Sequence, residues 1–320
     1  MDREDVVVVG SHVQGLFMHV PHYPQADETV LGWGFKEALD GGKGSHQAIA
    51  CGRLGLRTHF VGRVGQDRLG QIGASWLADA GVDITYLFRS TEAATGCGFV
   101  LINPKGIPAM TTAMGANEEF TEADVDRAET LLKSAKLVLI TFEIPIATAL
   151  YAGRRAKDLG AFTILTPGPA ELLPCGALDW VDLLVPNEIE AKALLGYAAD
   201  RTIALRELAM NLQEYSGAGR LIITLGDRGA FVLDGDESQT IQAFKVNVVD
   251  TPGAGDAFTS GVAYGLFRGA SLVDAARFGC LTAARAVTIK ESVPGFATPA
   301  ELERFAKQNN FEIPEALRIA

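Results

Sequence analysis

The chain has 320 residues, 48% hydrophobic and 21% charged, with a formal net charge of −11. That length suits one large α/β domain plus a small accessory piece, with a core that needs no disulfide staples. The acidic balance excludes nucleic acid as a general partner, because phosphate backbones need a basic surface.

Cys51, Cys97, Cys175 and Cys280 are scattered, with no C-x-x-C pair, which fits reduced thiols rather than a metal site. The start, MDREDVVVVG, places acids before a short apolar run and so does not read as a signal peptide. No apolar stretch approaches the roughly 20 residues that a membrane span requires. A soluble cytoplasmic protein without a membrane partner is the expectation.

Short β-branched runs alternate with amphipathic stretches, the pattern of βα units on a parallel sheet. DVVVVG reads as a buried strand, and His46 to Leu54 as a helix that Gly55 ends. THFVGRVG is a strand. Gly70 to Ala80 is a helix closed by Gly81. Thr121 and Asp124 form an acidic capping box opening a helix to about Ala135. LVLITFE, FTILTPG, DLLVPN and RLIITLG follow as strands, and Pro145 falls where a first helical turn tolerates it. From Ala254 onward the chain is mostly helical. Two stretches break the alternation, from about His12 to Asp40 and from Gly96 to Gly115. Both are rich in Gly, Pro, aromatic and β-branched residues, and the second contains an N-P-K-G turn. They suggest a small separate sheet lying over the main domain.

The most informative motif is VVDTPGAGDAF, which precedes a helix through Ser260, Val262 and Leu266. Gly253 and Gly255 allow backbone conformations closed to other residues. The amides of Gly253, Ala254 and Gly255 would then point outward at a helix start, a ready anion site. Asp256 beside that site suits proton abstraction from a hydroxyl that attacks a phosphoryl group. The same letters also describe a glycine-rich turn capped by an Asp. Other nucleotide motifs fail: GGKGS lacks Lys followed directly by Ser or Thr, and GSHVQG is not G-x-G-x-x-G.

D-T-x-G-A-G-D-x-F closely resembles the C-terminal signature of the ribokinase-like (PfkB) carbohydrate kinases, with ribokinase nearest in pattern. GGKGSHQAIACGRLG, from Gly41 to Gly55, resembles their N-terminal signature, in which a di-glycine loop approaches the sugar. PNEIEA resembles their N-x-x-E motif and ITLGDRGAF their nucleotide loop. The resemblance covers essentially the whole chain. It implies an α/β, ribokinase-like three-layer sandwich with a central, mostly parallel sheet and a small β-sheet lid. Residues 1–11, 41–95 and 116–320 would form the main domain, and 12–40 and 96–115 the lid.

The implied activity is ATP- and Mg2+-dependent phosphorylation of a sugar or polyol. Asp256 would be the base, Gly253, Ala254 and Gly255 the anion hole, and Asn187, Thr224, Gly226 and Gly229 the nucleotide contacts. Glu190 would organise Mg2+ indirectly, and Asp250 and Pro252 would mark a monovalent-cation (K+) site. Gly41, Gly42 and Glu143 would touch the sugar, although Glu143 also reads as a plain strand-end carboxylate. Family lids often pair into a homodimer. Phe17, Trp33 and Phe35 suit that role, or could line the sugar pocket.

The sequence departs from ribokinase where G-S-x-N-x-D is usual. Val13 stands at the Asn position, Gly15 at the Asp position, and His46 replaces a further Asn. Each lost charged hydrogen bond is worth about 1.5–3 kcal/mol, so the departures imply an acceptor other than D-ribose. His12, Gln14 and His46 are either a new polar rim for it or packing and surface residues. A nucleoside kinase and a catalytically silent sugar or nucleotide sensor are the rival readings.

Overall fold

The computed structural model describes residues 3–38 and 41–318; the expected lid boundary at residue 40 and the chain ends at 1 and 320 fall outside them. Strand β1 (Asp5–Val9) is buried throughout. Its pleat sends Val6 and Val8 into one apolar cluster, and Val7 and Val9 into a second on the opposite face. A sheet covered by helices on both faces requires such a strand.

The chain then leaves for β2 (Val13–His19) and β3 (Trp33–Glu37) and returns through α1 (Lys43–Arg53), β4 (Thr58–Gly65), α2 (Arg68–Asp79) and β5 (Asp83–Ser90). β6 (Thr95–Ile102) and β7 (Pro108–Gly115) are a second excursion. Alternation resumes with α3 (Glu122–Arg127), α4 (Glu129–Ser134), β8 (Ala135–Thr141), α5 (Ile146–Asp158) and β9 (Phe162–Thr166). It continues through β10 (Leu183–Leu184), α6 (Glu188–Leu194), α7 (Leu205–Ser216) and β11 (Arg220–Thr224). A hairpin of β12 (Ala230–Asp234) and β13 (Glu237–Ile241) precedes α8 (Ala254–Phe267), α9 (Leu272–Ala286), α10 (Ser292–Gly295) and α11 (Pro299–Asn309).

Nine strands form the large sheet in the order β13-β12-β11-β10-β9-β8-β1-β4-β5, parallel except for the hairpin edge. Four form the small sheet in the order β3-β2-β6-β7, with β2 and β6 parallel and the outer pairs antiparallel. The three-layer sandwich with a small β sheet is therefore observed. Gly55 and Gly81 take φ of 84° and 76° and end α1 and α2 as anticipated. Two elements differ from expectation. DLLVPN pairs over only two residues, because Pro186 has no N–H to donate and Asn187 already caps α6. The helix from Thr121 is interrupted at Ala128 and becomes α3 and α4.

The parallel strands deliver Ser11, Glu143, Gly168 and Asn187 just past the ends of β1, β8, β9 and β10, and Thr224 at the end of β11, all at one edge. Ligands of open α/β sheets bind along that edge.

Candidate active site

Gly253 is the N-cap of α8 with φ of 75°, and a side chain there would press within 2.7 Å of Ser292 Cβ. The turn therefore requires glycine, and the helix starts with Asp256 in its first turn. Among the described residues the N–H groups of Gly253 and Gly255 take no protein acceptor, whereas that of Ala254 closes a turn on Thr251 O at 3.2 Å. A Cβ on Gly255 would meet nothing within 4 Å. The α8 terminus thus presents amides, its positive dipole end and open space together, as an anion needs.

Asp256 is only 5% exposed. Its Oδ1 accepts from Gln47 Nε2 at 3.0 Å, and its Oδ2 lies 3.0 Å from His46 Nδ1. Both partners come from α1, whose start is the di-glycine loop. Gly42 is the N-cap of α1, packed so closely on Ser11 and Glu143 that a Cβ would meet Ser11 Oγ at 2.4 Å. Glu143 Oε2 accepts from Ser11 Oγ at 2.5 Å and from Lys43 N at 2.7 Å. Burial pushes the Glu143 carboxyl above its ordinary pKa despite the Lys43 charge and these hydrogen bonds.

Sequence reasoning missed Lys43. Burial would pull its ammonium down, yet Asp256, Glu190 and Glu143 together hold it above its usual value. Its Nζ is 3.9 Å from Glu190 Oε1, and its stem packs on Gly168. The only available signal was a cation set between the glycines of GGKG.

Asn187 and Glu190 cap α6 reciprocally: Asn187 Oδ1 accepts from Glu190 N at 2.8 Å, and Glu190 Oε2 from Asn187 N at 2.9 Å. That leaves Glu190 Oε1 facing Lys43. Thr224 bridges to Asn187, which brings the two expected nucleotide segments side by side. Gly226 has φ of 63° and borders open space. Gly229, at φ of 94°, is required by the fold, since a Cβ would lie 1.9 Å from Ile241 O. Among the described residues no group of three His, Cys, Asp or Glu could hold a metal ion. At the expected monovalent-cation position, Asp250 accepts from Thr251 N and Glu291 N, both at 3.0 Å. It braces the turn containing Pro252.

The structure does not gather the whole expected polar rim. His12 is 1% exposed, wedged between Ser45 and the Gly73–Trp76 face of α2. Gln14 is fully buried, and its Nε2 donates to Gly15 O and Ala38 O. Both brace the base of the small sheet. Of the three, His46 alone reaches Asp256.

A buried carboxylate, a helix terminus with unpaired amides and a trapped lysine are the parts that a phosphotransferase with an alcohol acceptor needs. A profile of the pfkB family carbohydrate kinases matches residues 3–299, and the chain belongs to that family. The Haemophilus influenzae ribokinase is 32% identical over 304 residues, covering 95% of this chain and 98% of its own. The Salmonella typhi deoxyribokinase is 29% identical over 306 residues, covering 95% and 99%. The structure of Arabidopsis thaliana ribokinase complexed with ribose and ATP superposes with a TM-score of 0.88 at 26% identity, covering 100% of both chains. No helix among the described residues is long and apolar enough to cross a membrane.

Proposed function

We propose that the enzyme phosphorylates a hydroxyl of a small sugar lying over Gly41 and Gly42 beside Glu143, with Asp256 as the base. The supporting observation is the buried Asp256 carboxylate, held by Gln47 at the start of α8 beside the exposed amides of Gly253 and Gly255. Asp256 takes the acceptor proton as the oxygen attacks the terminal phosphorus of ATP, the bond to the departing ADP oxygen breaks, and ADP leaves. The α8 amides meet the charge that develops on the phosphoryl oxygens, each donor being worth about 3 kcal/mol. Lys43 supplies a point charge from the other side. Bound Mg2+ would neutralise the phosphates that Glu190 faces. Asn187, Thr224 and Gly226 would run along the nucleotide.

For the acceptor, the relatives named ribokinase and deoxyribokinase support a pentose. They give no support to excluding D-ribose, and no observation favours a nucleoside acceptor or a silent sensor. The changes at Val13, Gly15 and His46 remain the reason to expect altered preference among sugars. A cavity of about 280 Å3 beside Glu143, walled by Met114, Phe142, Ile144 and Pro169, would hold the less polar face of the acceptor.

Two finer readings accompany this one. Trp33 and Phe35 are 54% and 60% exposed on the edge strand of the small sheet, which supports a homodimer through that sheet, checked by sedimentation. The K+ site at Asp250 and Pro252 rests on the resemblance and is checked by assaying in K+ and in Na+. We place the enzyme in the cytoplasm, with its ATP supply.

The test is ADP release from Mg-ATP with D-ribose, 2-deoxy-D-ribose, other sugars, polyols, sugar acids and nucleosides. Asp256→Asn should lower turnover by roughly 10²–10⁴. Equal turnover in both proteins would remove Asp256 from the mechanism.

A further inference from the structure

Consecutive side chains of α1 reach the two oxygens of one carboxylate. Gln47 Nε2 donates to Asp256 Oδ1, and His46 Nδ1 sits 3.0 Å from Asp256 Oδ2. The other nitrogen of the same imidazole, Nε2, accepts from the Gly41 N–H at 2.8 Å. A neutral imidazole carries one N–H and one lone pair. Because Nε2 accepts, the proton lies on Nδ1 and is donated to the carboxylate. The ring is 5% exposed and meets the buried Phe296 edge-on, centroids 5.5 Å apart, so it has no freedom to turn. Gly41 opens the loop over which the acceptor is placed, and Asp256 is the group proposed to take the acceptor's proton. One imidazole therefore spans the two parts of the site whose separation must be right for proton transfer.

We propose that His46 is a positioning residue that couples the di-glycine loop to the base, through Nε2 to Gly41 and through Nδ1–H to Asp256. Clamped on one oxygen by Gln47 and on the other by His46, the carboxylate cannot rotate, and each oxygen keeps a lone pair for the incoming proton. The inference rests on Asp256 being the base. An asparagine at 46 has its amide nitrogen about where Nδ1 lies but nothing at the Nε2 position, so it could keep the first link and not the second.

Asparagine and glutamine therefore separate the two links. His46→Asn keeps a donor for Asp256 and frees Gly41. His46→Gln brings an acceptor to Gly41 and leaves Oδ2 without its donor. With D-ribose and 2-deoxy-D-ribose as acceptors, His46→Asn should hold kcat within about threefold and raise the acceptor KM about tenfold. His46→Gln should do the reverse, and His46→Ala should show both losses. Equal changes in kcat and KM for the Asn and Gln variants would overturn the coupling. Long-range 1H–15N spectra of the native protein give a readout independent of turnover and of how the variants fold. At neutral pH the resonance absent from His46→Asn should report a protonated Nδ1 and a bare Nε2, and the Nδ1 signal should move in Asp256→Asn. A bare Nδ1 would sink the proposal even if the enzyme is active. Native turnover in Asp256→Asn, with the tautomer as stated, would instead fault the base assignment.

Discussion

His12 is a titratable group silenced by packing. The Ser45 hydroxyl gives its proton to Gly42 O at 3.2 Å, so His12 Nδ1 donates to Ser45 Oγ across 3.0 Å. Its Nε2 is buried without a partner among the described residues. Burial above all, aided by the nearby Arg89 charge and opposed by Asp67, lowers its pKa from 6.5 to about 4. Between those values the unfolded chain binds a proton that the folded one refuses. The stabilisation is therefore complete above pH 6.5, declines as pH falls from 6.5 towards 4, and levels off below that. The expected loss is about 3 kcal/mol across that window. Urea unfolding at pH 7 and pH 4.5 should show it in the native protein and a correspondingly smaller pH dependence in His12→Asn; equal dependence in both would refute it. The same residue marks the limit of reading the site from sequence. The letters of GAGD dictate a local backbone shape, so the helix start and Asp256 were legible. Whether His12 faces ligand or core is decided by α2, some 60 residues away, and Lys43 acquires its partners from three separate segments. Neither fact is local.

At the scale of elements, α8 is where fold and function make opposite demands. Its interior is buried from Ala257 to Gly265, with Thr259 and Ser260 among the apolar residues, it is tied to α1 by Ser260 Oγ donating to Gln47 O at 3.2 Å, and it would tolerate a better helix former than Gly255 in its first turn. Alanine there meets no atom within 4 Å and should stabilise the helix by about 0.5–1 kcal/mol. The methyl would nonetheless occupy the space that the phosphoryl group is proposed to enter. Gly255→Ala should raise Tm slightly while kcat/KM for ATP falls by about tenfold or more. Unchanged kcat/KM would place the anion elsewhere. Elements of this kind were readable because their signals are local: four valines in a row, Gly55 and Gly81 after helical runs, the Thr121–Asp124 box. The break at Ala128 carries neither Gly nor Pro, so no turn chemistry announced it. The nine-strand order was not readable either, since pairing β1 with both β4 and β8 depends on contacts far apart in sequence.

At the scale of the molecule, adjacent residues of one edge strand tie the small sheet to the body, in addition to the hydrogen bonds of Thr95, at the start of β6, to Asp67. Neighbours on a strand point to opposite faces, and β3 uses both. Lys36 pairs with Glu291, beyond α9, and Glu37 pairs with Arg68 at the start of α2, one of its two contacts being 2.9 Å. The first tie leads further. The Glu291 N–H is bonded to Asp250 at 3.0 Å, and Asp250 stands just before the turn that launches α8. The edge of the small sheet is thereby connected to the start of the helix carrying Asp256. Exposed pairs contribute little to overall stability, so Lys36→Ala and Arg68→Ala should leave Tm unchanged. Each should instead lower the fraction of molecules with the sheet held where it is proposed to cover the acceptor, and apparent affinity falls with that fraction. The acceptor KM should therefore rise about two- to fivefold in each single variant and further in the double one, with kcat little changed because the proposed base and its clamp are untouched. Steady-state kinetics over the acceptor concentration decide the matter. If KM in the double variant equals that of the native enzyme, the ties are surface contacts, and the small sheet is held by other bonds such as those of Thr95 to Asp67.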